Sequence, residues 1–325
     1  MANSSESWSE FDFEKWILFL ERSVQTDNET IYTLFLMITI FLCVASFFGN
    51  SLVCFIICYD KSMHTTTNYY LLNLAISDLI MTLTMGLEAS VKFTERNGFV
   101  LCKLQWFLVV CLWNNSVLTM AALAIERYIA IWHPLMLKPT SAWRRVSKII
   151  VLVWLLAIAA TLLEMQTVDL VKVHQYTMCF IIPTPWARFL NGVLAIVTFV
   201  IPLITMILAH STIVYKVINT QMDNTRDTIF NHEDPRGKIT KLVILLTVAF
   251  VICGMPFFLA RVLLCVLNVD QLLNLHVSWT AWFYLIIINS WCTVITNPIL
   301  YSLMSTKFRK TTKNLWNERI RSIVS

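Results

Sequence analysis

The stretch FVLCKLQWFLVVCLWNNSVLTMAALAIERYIAIW, residues 99–132, decides the fold. It is long enough as a helix to cross a bilayer. Apart from Lys103 near its start, it carries no charge until Glu126-Arg127-Tyr128. A full charge so close to hydrocarbon is costly and persists in membrane proteins when it is paired or performs a task. A basic anchor snorkelling to the headgroups is the plainer alternative. Cys102, Gln105, Val109, Trp113, Ser116, Met120, Leu123 and Arg127 follow steps of three and four, so one helical stripe runs from end to end. A helix that touches both membrane surfaces with one stripe can carry a signal between them.

The rest of the chain agrees with a bundle of such helices. It is 57% hydrophobic and only 14% charged, too apolar a surface for a soluble protein of this length to solvate. Windows of spanning length fall at about 31–59, 69–91, 99–132, 146–168, 187–216, 239–267 and 279–304. The expected fold is an all-α membrane protein, a seven-transmembrane helix bundle with a short amphipathic helix after the seventh span. Residues 1–30 read as an extracellular segment, 31–305 as the bundle and 306–325 as a cytoplasmic amphipathic helix and tail. Lys138, Arg144, Arg145, Lys148, Arg226, Arg236, Lys238 and Lys241 gather on one side, with Lys307 to Arg321 after the last span. The positive-inside rule then sets the N-terminus outside and the C-terminus inside, in the plasma membrane. Asn3 and Asn28 open glycosylation sequons on the outer side, whereas Asn114-Asn115-Ser116 lies within a span, where no glycan is added. The apolar patch Trp16 to Leu20 lacks a basic lead and reads as a short amphipathic turn on the surface, not a signal peptide.

Most cysteines sit inside spans and read as small hydrophobes. Cys102 and Cys179 both face an oxidising compartment, which predicts a disulfide tying the outer loop to the third helix. Asn50, Asp78, Ser116 and Asn297 lie at mid-membrane depth, and an unpaired carboxylate at Asp78 must face the interior. Their oxygens suit a hard cation such as sodium, or equally a watered hydrogen-bond network without an ion. Pro202, Pro256 and Pro298 interrupt the last three spans and predict kinks in a movable half. Zinc spacing, hydrolytic and phosphate-binding motifs are absent, so an enzyme and a nucleic-acid partner are not expected.

From about Thr33 to Leu315 the sequence resembles the rhodopsin-like (class A) family of G-protein-coupled receptors. The resemblance rests on Gly49-Asn50, Asn73 to Asp78, Cys102 with Cys179, Glu126-Arg127-Tyr128, Trp154, Pro202, Phe250 with Pro256, and Asn297-Pro298-Ile299-Leu300-Tyr301. It implies an extracellular ligand and a heterotrimeric G protein inside, with arrestin and membrane lipids as further partners. It also implies that Arg127 leans on Glu126 at rest and contacts the G protein once helix six swings out, with Tyr301 turning inward in support. Phe308, Thr312, Leu315 and Trp316 share one face of the terminal helix, which would lie on the inner leaflet.

Three positions depart from the family. Gly254 stands where helix six usually has a tryptophan, and Trp113 or Trp291 is expected to fill the space. Arg236 replaces the inner acid that often pairs with the arginine, leaving Glu233 and Asp234 as imperfect substitutes and predicting ligand-free signalling. His210 stands where helix five usually has an inner tyrosine.

For the ligand, Val109 lacks the acid of amine receptors, and Trp291 occupies the lysine position of photoreceptors. Candidate contacts are Glu88, Gln105, Val109, Trp113, Glu164, Phe257, Arg261, Phe283, Ile287 and Trp291. Glu88 and Arg261 would read opposite charges of a ligand, or pair with each other, Lys92 or Asp169. The strand formers around Cys179 suit a hairpin, as in peptide receptors of the family, and favour a peptide. A chemosensory, lipid or other small-molecule ligand is the alternative. A seven-span transporter is disfavoured by the lack of internal repeats and of paired broken helices.

Overall fold

In the computed structural model, residues 13–24, 29–90, 99–133, 142–173, 176–223, 235–274 and 279–324 are described. A short outer helix α1 (Phe13–Val24) precedes the bundle. The seven spans are α2 (Glu29–Tyr59), α3 (Thr66–Ser90), α4 (Phe99–Trp132), α5 (Ala142–Glu164), α6 (Pro185–Ala195) running on into α7 (Ile201–Asp223), α8 (Pro235–Val266), and, after the short α9 (Val269–Asn274), α10 (Trp279–Met304). The amphipathic helix α11 (Thr306–Val324) follows. The third and seventh spans keep their expected limits. The fourth and sixth start four residues early, because Arg144 and Arg145 continue the helix outside the apolar window that hydropathy detects, and Pro235 fits a first helical turn.

Among the described residues, five of the spans are long and apolar enough to cross a membrane by length and composition alone. α3 carries Asn68, Asn73, Ser77 and Asp78, all buried inside the bundle. Large apolar side chains such as Phe41, Phe48, Leu155 and Ile252 face outward instead. Polar inside and apolar outside is the arrangement hydrocarbon demands.

The prolines are accommodated locally. Pro298 cannot donate to the carbonyl four residues back, and the Val294 carbonyl accepts from Asn50 Nδ2 at 2.8 Å instead. A Cβ on Gly49 would meet the Pro298 ring at 2.9 and 3.0 Å, so the glycine permits the close approach that this bond needs. In the turn before Pro256, the Cys253 carbonyl accepts from Asn289 Nδ2 at 3.1 Å. Before Pro202 the helix widens into one π turn, Ile196–Val200, which joins α6 to α7.

The outer surface is roofed. Strands β1 (Val168–Val173) and β2 (Tyr176–Ile181) form the expected antiparallel hairpin, with Leu170 opposite Cys179. Cys179 is bonded to Cys102 at the top of α4, with 5.4 Å between the Cα atoms. The Trp16–Leu20 patch is not a surface turn. It belongs to α1, whose Trp16, Phe19 and Leu20 are wholly buried against Val171, Val269 and Leu272. Three apolar residues at positions i, i+3 and i+4 form too wide a stripe to leave in water when an apolar loop surface is at hand.

Candidate functional site

α4 passes through the middle of the bundle and touches α3, α5, α7, α8 and both strands. Two adjacent asparagines hold it in place, because side chains one position apart point to different neighbours. Asn114 donates to Thr161 on α5 at 3.3 Å, and Asn115 donates to Ser77 on α3 at 2.7 Å. Asn73 donates to Thr119 at 2.9 Å and accepts from Trp154 Nε1 at 3.0 Å, joining α3, α4 and α5. The sequon in this helix is a structural device.

In the outer half, Arg261 on α8 forms an ion pair with Glu164 on α5 at 2.8 Å. Asn191 on α6 accepts from the same guanidinium at 3.4 Å and donates to Thr167 at 3.0 Å. The Arg261 guanidinium also lies 6.0 Å above the Phe257 ring. Among the described residues, Arg261 therefore pairs with Glu164 and not with Asp169 of the hairpin. Asn191 and the bracing Arg188 were not singled out from sequence; each is one polar residue in an apolar window, and only the fold shows which neighbours they meet.

Beneath this pair the space left by Gly254 is filled. The atom a Cβ would occupy at Gly254 lies 3.0 Å from two carbons of the Trp113 ring. Trp113 stacks on Phe250 at 5.2 Å and leans on Phe257 at 5.3 Å. Trp113 thus supplies the bulk from α4 that helix six lacks. Trp291 is elsewhere, packed on Phe35 at 5.5 Å in a separate cluster that Val109 borders. Gln105 is half-buried on α4 above them.

Lower still, Asp78 accepts from Asn297 Nδ2 at 2.8 Å. Both line a small cavity with Ser77, Ser116 and Thr293. Ser116 donates to the Leu112 carbonyl of its own helix, so its oxygen remains able to accept. A buried carboxylate surrounded by hydroxyl and amide oxygens is a donor set that fits a hard cation.

At the inner end, Glu126 does not bind its neighbour Arg127. Its carboxylate accepts from Arg145 of α5 at 2.6 Å. Successive residues of a helix diverge by about 100°, which turns Glu126 toward α5 and Arg127 toward the bundle axis. The Arg127 Nε is buried without a hydrogen-bond partner among the described residues. His210 shares a 3.0 Å hydrogen bond with Thr247 on α8. Tyr301 is buried, donates to Asn68 at 3.1 Å and packs edge-on against Phe308 of α11 at 4.8 Å. Phe308 and Leu315 of the expected amphipathic face join the inner core. Lys307 donates to the Ser62 carbonyl, and Thr311 donates to Asp60 at 2.8 Å, fastening α11 to the first inner loop.

Asn3, Asn28, Lys92, Glu233 and Asp234, and the side chains of Glu88, Arg236, Phe283, Ile287 and Trp316, lie outside the described residues.

Comparison with known proteins places these features in a family. A model of the "7 transmembrane receptor (rhodopsin family)" matches residues 49–301. Neuromedin-U receptor 1 of Mus musculus is 27% identical over 295 residues, covering 81% of this chain and 68% of the relative. Neuromedin-U receptor 2 of the same organism is 28% identical over 298 residues, covering 84% and 72%. The Tachykinin-like peptides receptor 86C of Drosophila melanogaster is 26% identical over 302 residues, covering 87% of this chain and 58% of its own length.

Proposed function

We propose, since this chain belongs to the rhodopsin family of seven-transmembrane receptors, that it binds an extracellular peptide and relays the event along α4 to a heterotrimeric G protein. It is a multi-pass membrane receptor of the G-protein-coupled class and not an enzyme. The observation that carries the relay is the continuity of α4. One helix bears the disulfide to the outer hairpin, the Trp113 ring against Phe250 and Phe257, and Arg127 at the inner end.

In this reading the N-terminus is extracellular and the C-terminus cytoplasmic. The ligand site comprises Glu88, Gln105, Val109, Trp113, Phe257, Arg261, Phe283, Ile287 and Trp291. Pro202, Phe250, Pro256, Asn297, Pro298 and Tyr301 form the switch, ending in Glu126, Arg127 and Tyr128. Sodium held by Asp78, Ser116 and Asn297 would neutralise a carboxylate that is otherwise costly in hydrocarbon; Asn50 belongs to the same polar network and ties α2 to α10. Arrestin and inner-leaflet lipid are further partners at the cytoplasmic face. A peptide is favoured by the hairpin and by relatives named for neuromedin U and tachykinin-like peptides. An agonist must bind the signalling state better than the resting one, or no population shifts.

The test is nucleotide exchange on several G-protein subtypes in receptor membranes, screened with a peptide library that includes neuromedin U and tachykinin-like peptides. A peptide should stimulate exchange, and Arg127→Ala at matched surface expression should abolish it. A response only to lipids or small molecules would replace the peptide. Substrate flux without exchange would remove the receptor reading. Tags at the two chain ends, probed on intact cells, test the orientation.

A further inference from the structure

Under the roof lies a pocket lined by Trp16 of α1, Ile181 of the hairpin, Arg188 and Asn191 of α6, and Arg261 and Cys265 of α8. Two of its lining residues each hold a buried polar atom without a partner among the described residues, Trp16 Nε1 and Arg261 Nε. Trp16 is 0% exposed and Arg261 8%. A buried N–H left unbonded costs about 1–3 kcal/mol, so both atoms await an acceptor. The local charge has the matching sign. Among the described residues, Arg261 and Arg188 bring two guanidinium groups against the one carboxylate of Glu164, and the partners seen for Arg188 are neutral oxygens, the Pro183 carbonyl and Asn268 Oδ1.

The roof is fastened independently of the pocket. Trp16 stacks on Phe19 at 5.0 Å and leans on Phe180 at 5.7 Å, next to the disulfide. On the solvent side Lys15 pairs with Asp270 of α9 at 3.0 Å, both partners well exposed.

We infer that α1 is part of the ligand site: Trp16 roofs a subsite that, with Arg261 and Arg188, takes a carboxylate carried by the ligand. The ligand reaches it when α1 lifts, and the indole N–H closes over the bound oxygen. This deepens the receptor reading, yet it is tested without any agonist, so a failed peptide screen and a failed subsite are separate results.

Cys265 is a native probe in the pocket wall. On intact cells, two impermeant methanethiosulfonates of similar size are compared, one bearing a sulfonate and one a trimethylammonium. The Cys265 thiolate displaces methanesulfinate from either reagent, forms a mixed disulfide and leaves its proton in water. Labelling is read by mass on the Cys265 peptide, with Cys265→Ser as the blank. The sulfonate should react about tenfold faster than the trimethylammonium, the sense a cationic cleft imposes on encounter rates. Arg188→Gln should reduce that ratio. Trp16→Ala should accelerate both reagents. Lys15→Glu, which sets a like charge against Asp270 without touching the pocket, should do the same if Trp16→Ala fails to reach the surface. Equal rates, or a faster trimethylammonium, would overturn the carboxylate seat. Rates unmoved by Lys15→Glu, or no labelling in any variant, would overturn α1 as the roof.

Discussion

The two ends of α5 carry opposite versions of one device. At the outer end Glu164 grips Arg261 of α8, with side chains 2% and 8% exposed. At the inner end Arg145 grips Glu126 of α4, with the arginine 29% exposed. Above, the pair spans to α8; below, it spans to α4. In the inner half of α8, Thr247 bonds to His210, and Leu242, Val243 and Leu246 enter the apolar core. A buried ion pair thus fastens α8 at the top, while among the described residues a neutral hydrogen bond and apolar packing are seen toward its base. A helix fastened this way is held less firmly at its inner end than at its outer end, because apolar contacts reform in more than one position whereas a buried ion pair does not.

The largest effect should come from breaking the upper pair. Glu164→Gln leaves a guanidinium buried without its counter-ion, at a cost of about 3–5 kcal/mol. Thermal unfolding in membranes should shift down steeply and surface expression fall. Glu164→Leu with Arg261→Met should recover most of the loss; a single variant as stable as wild type would erase the contrast between the two ends.

Next comes the fulcrum between them. Gly254→Trp builds a second ring where that of Trp113 lies, and overpacking costs about 1–3 kcal/mol or more. Adding Trp113→Ala to Gly254→Trp should restore expression and agonist response, as read in a double-mutant cycle. Purely additive losses would mean that the two positions do not share one space.

The inner pair should matter less for stability, about 1–2 kcal/mol, because Arg145 reaches water. Arg145→Gln removes the cation that holds Glu126 against α5, leaving its charge to act on Arg127 alone, and agonist-free exchange should fall. Arg236→Glu restores an acid near the same end and should lower agonist-free exchange about two- to fivefold at matched surface expression. An unchanged level in both variants would show that the base is not the weakly held end.

The smallest effect belongs to the anchor of α11. Hydrogen bonds from Ser62 and Thr311 hold the Asp60 carboxyl below the ordinary carboxylate range. A lowered folded value means that this anchoring is complete above about pH 4 and is lost as pH falls through the folded value. Asp60→Asn should remove that pH dependence from the protection of α11 against proteolysis and otherwise leave the protein little changed.

What the sequence disclosed follows from what is periodic or local. The stripe from Cys102 to Arg127, the hairpin around Cys179 and the amphipathic α11 were all legible, since each depends on spacing within one element. The partner choices were not. Glu126 follows the azimuth of α4 toward Arg145, and Arg261 reaches Glu164, 97 residues earlier in the chain. Trp113 rather than Trp291 fills the Gly254 space because the Trp113 ring lies over that turn of α8, whereas Trp291 packs on Phe35 of α2. The Trp16 patch was visible, but its burial depended on an apolar surface assembled from β1 and α9, which no local pattern announces.

The single π turn at Ile196–Val200 has a geometric consequence of its own. One surplus residue acts like a misthreaded screw: every position upstream of it is advanced by about 100° around the axis relative to an uninterrupted helix. That rotation aims Asn191 at Arg261 and Thr167 and brings Arg188 beside Asn268. Removing one residue from this turn would leave composition and hydropathy almost untouched, yet it would rotate both side chains out of register. Sequence comparison across such a span therefore has to admit a one-residue gap before outer positions of two proteins can be equated.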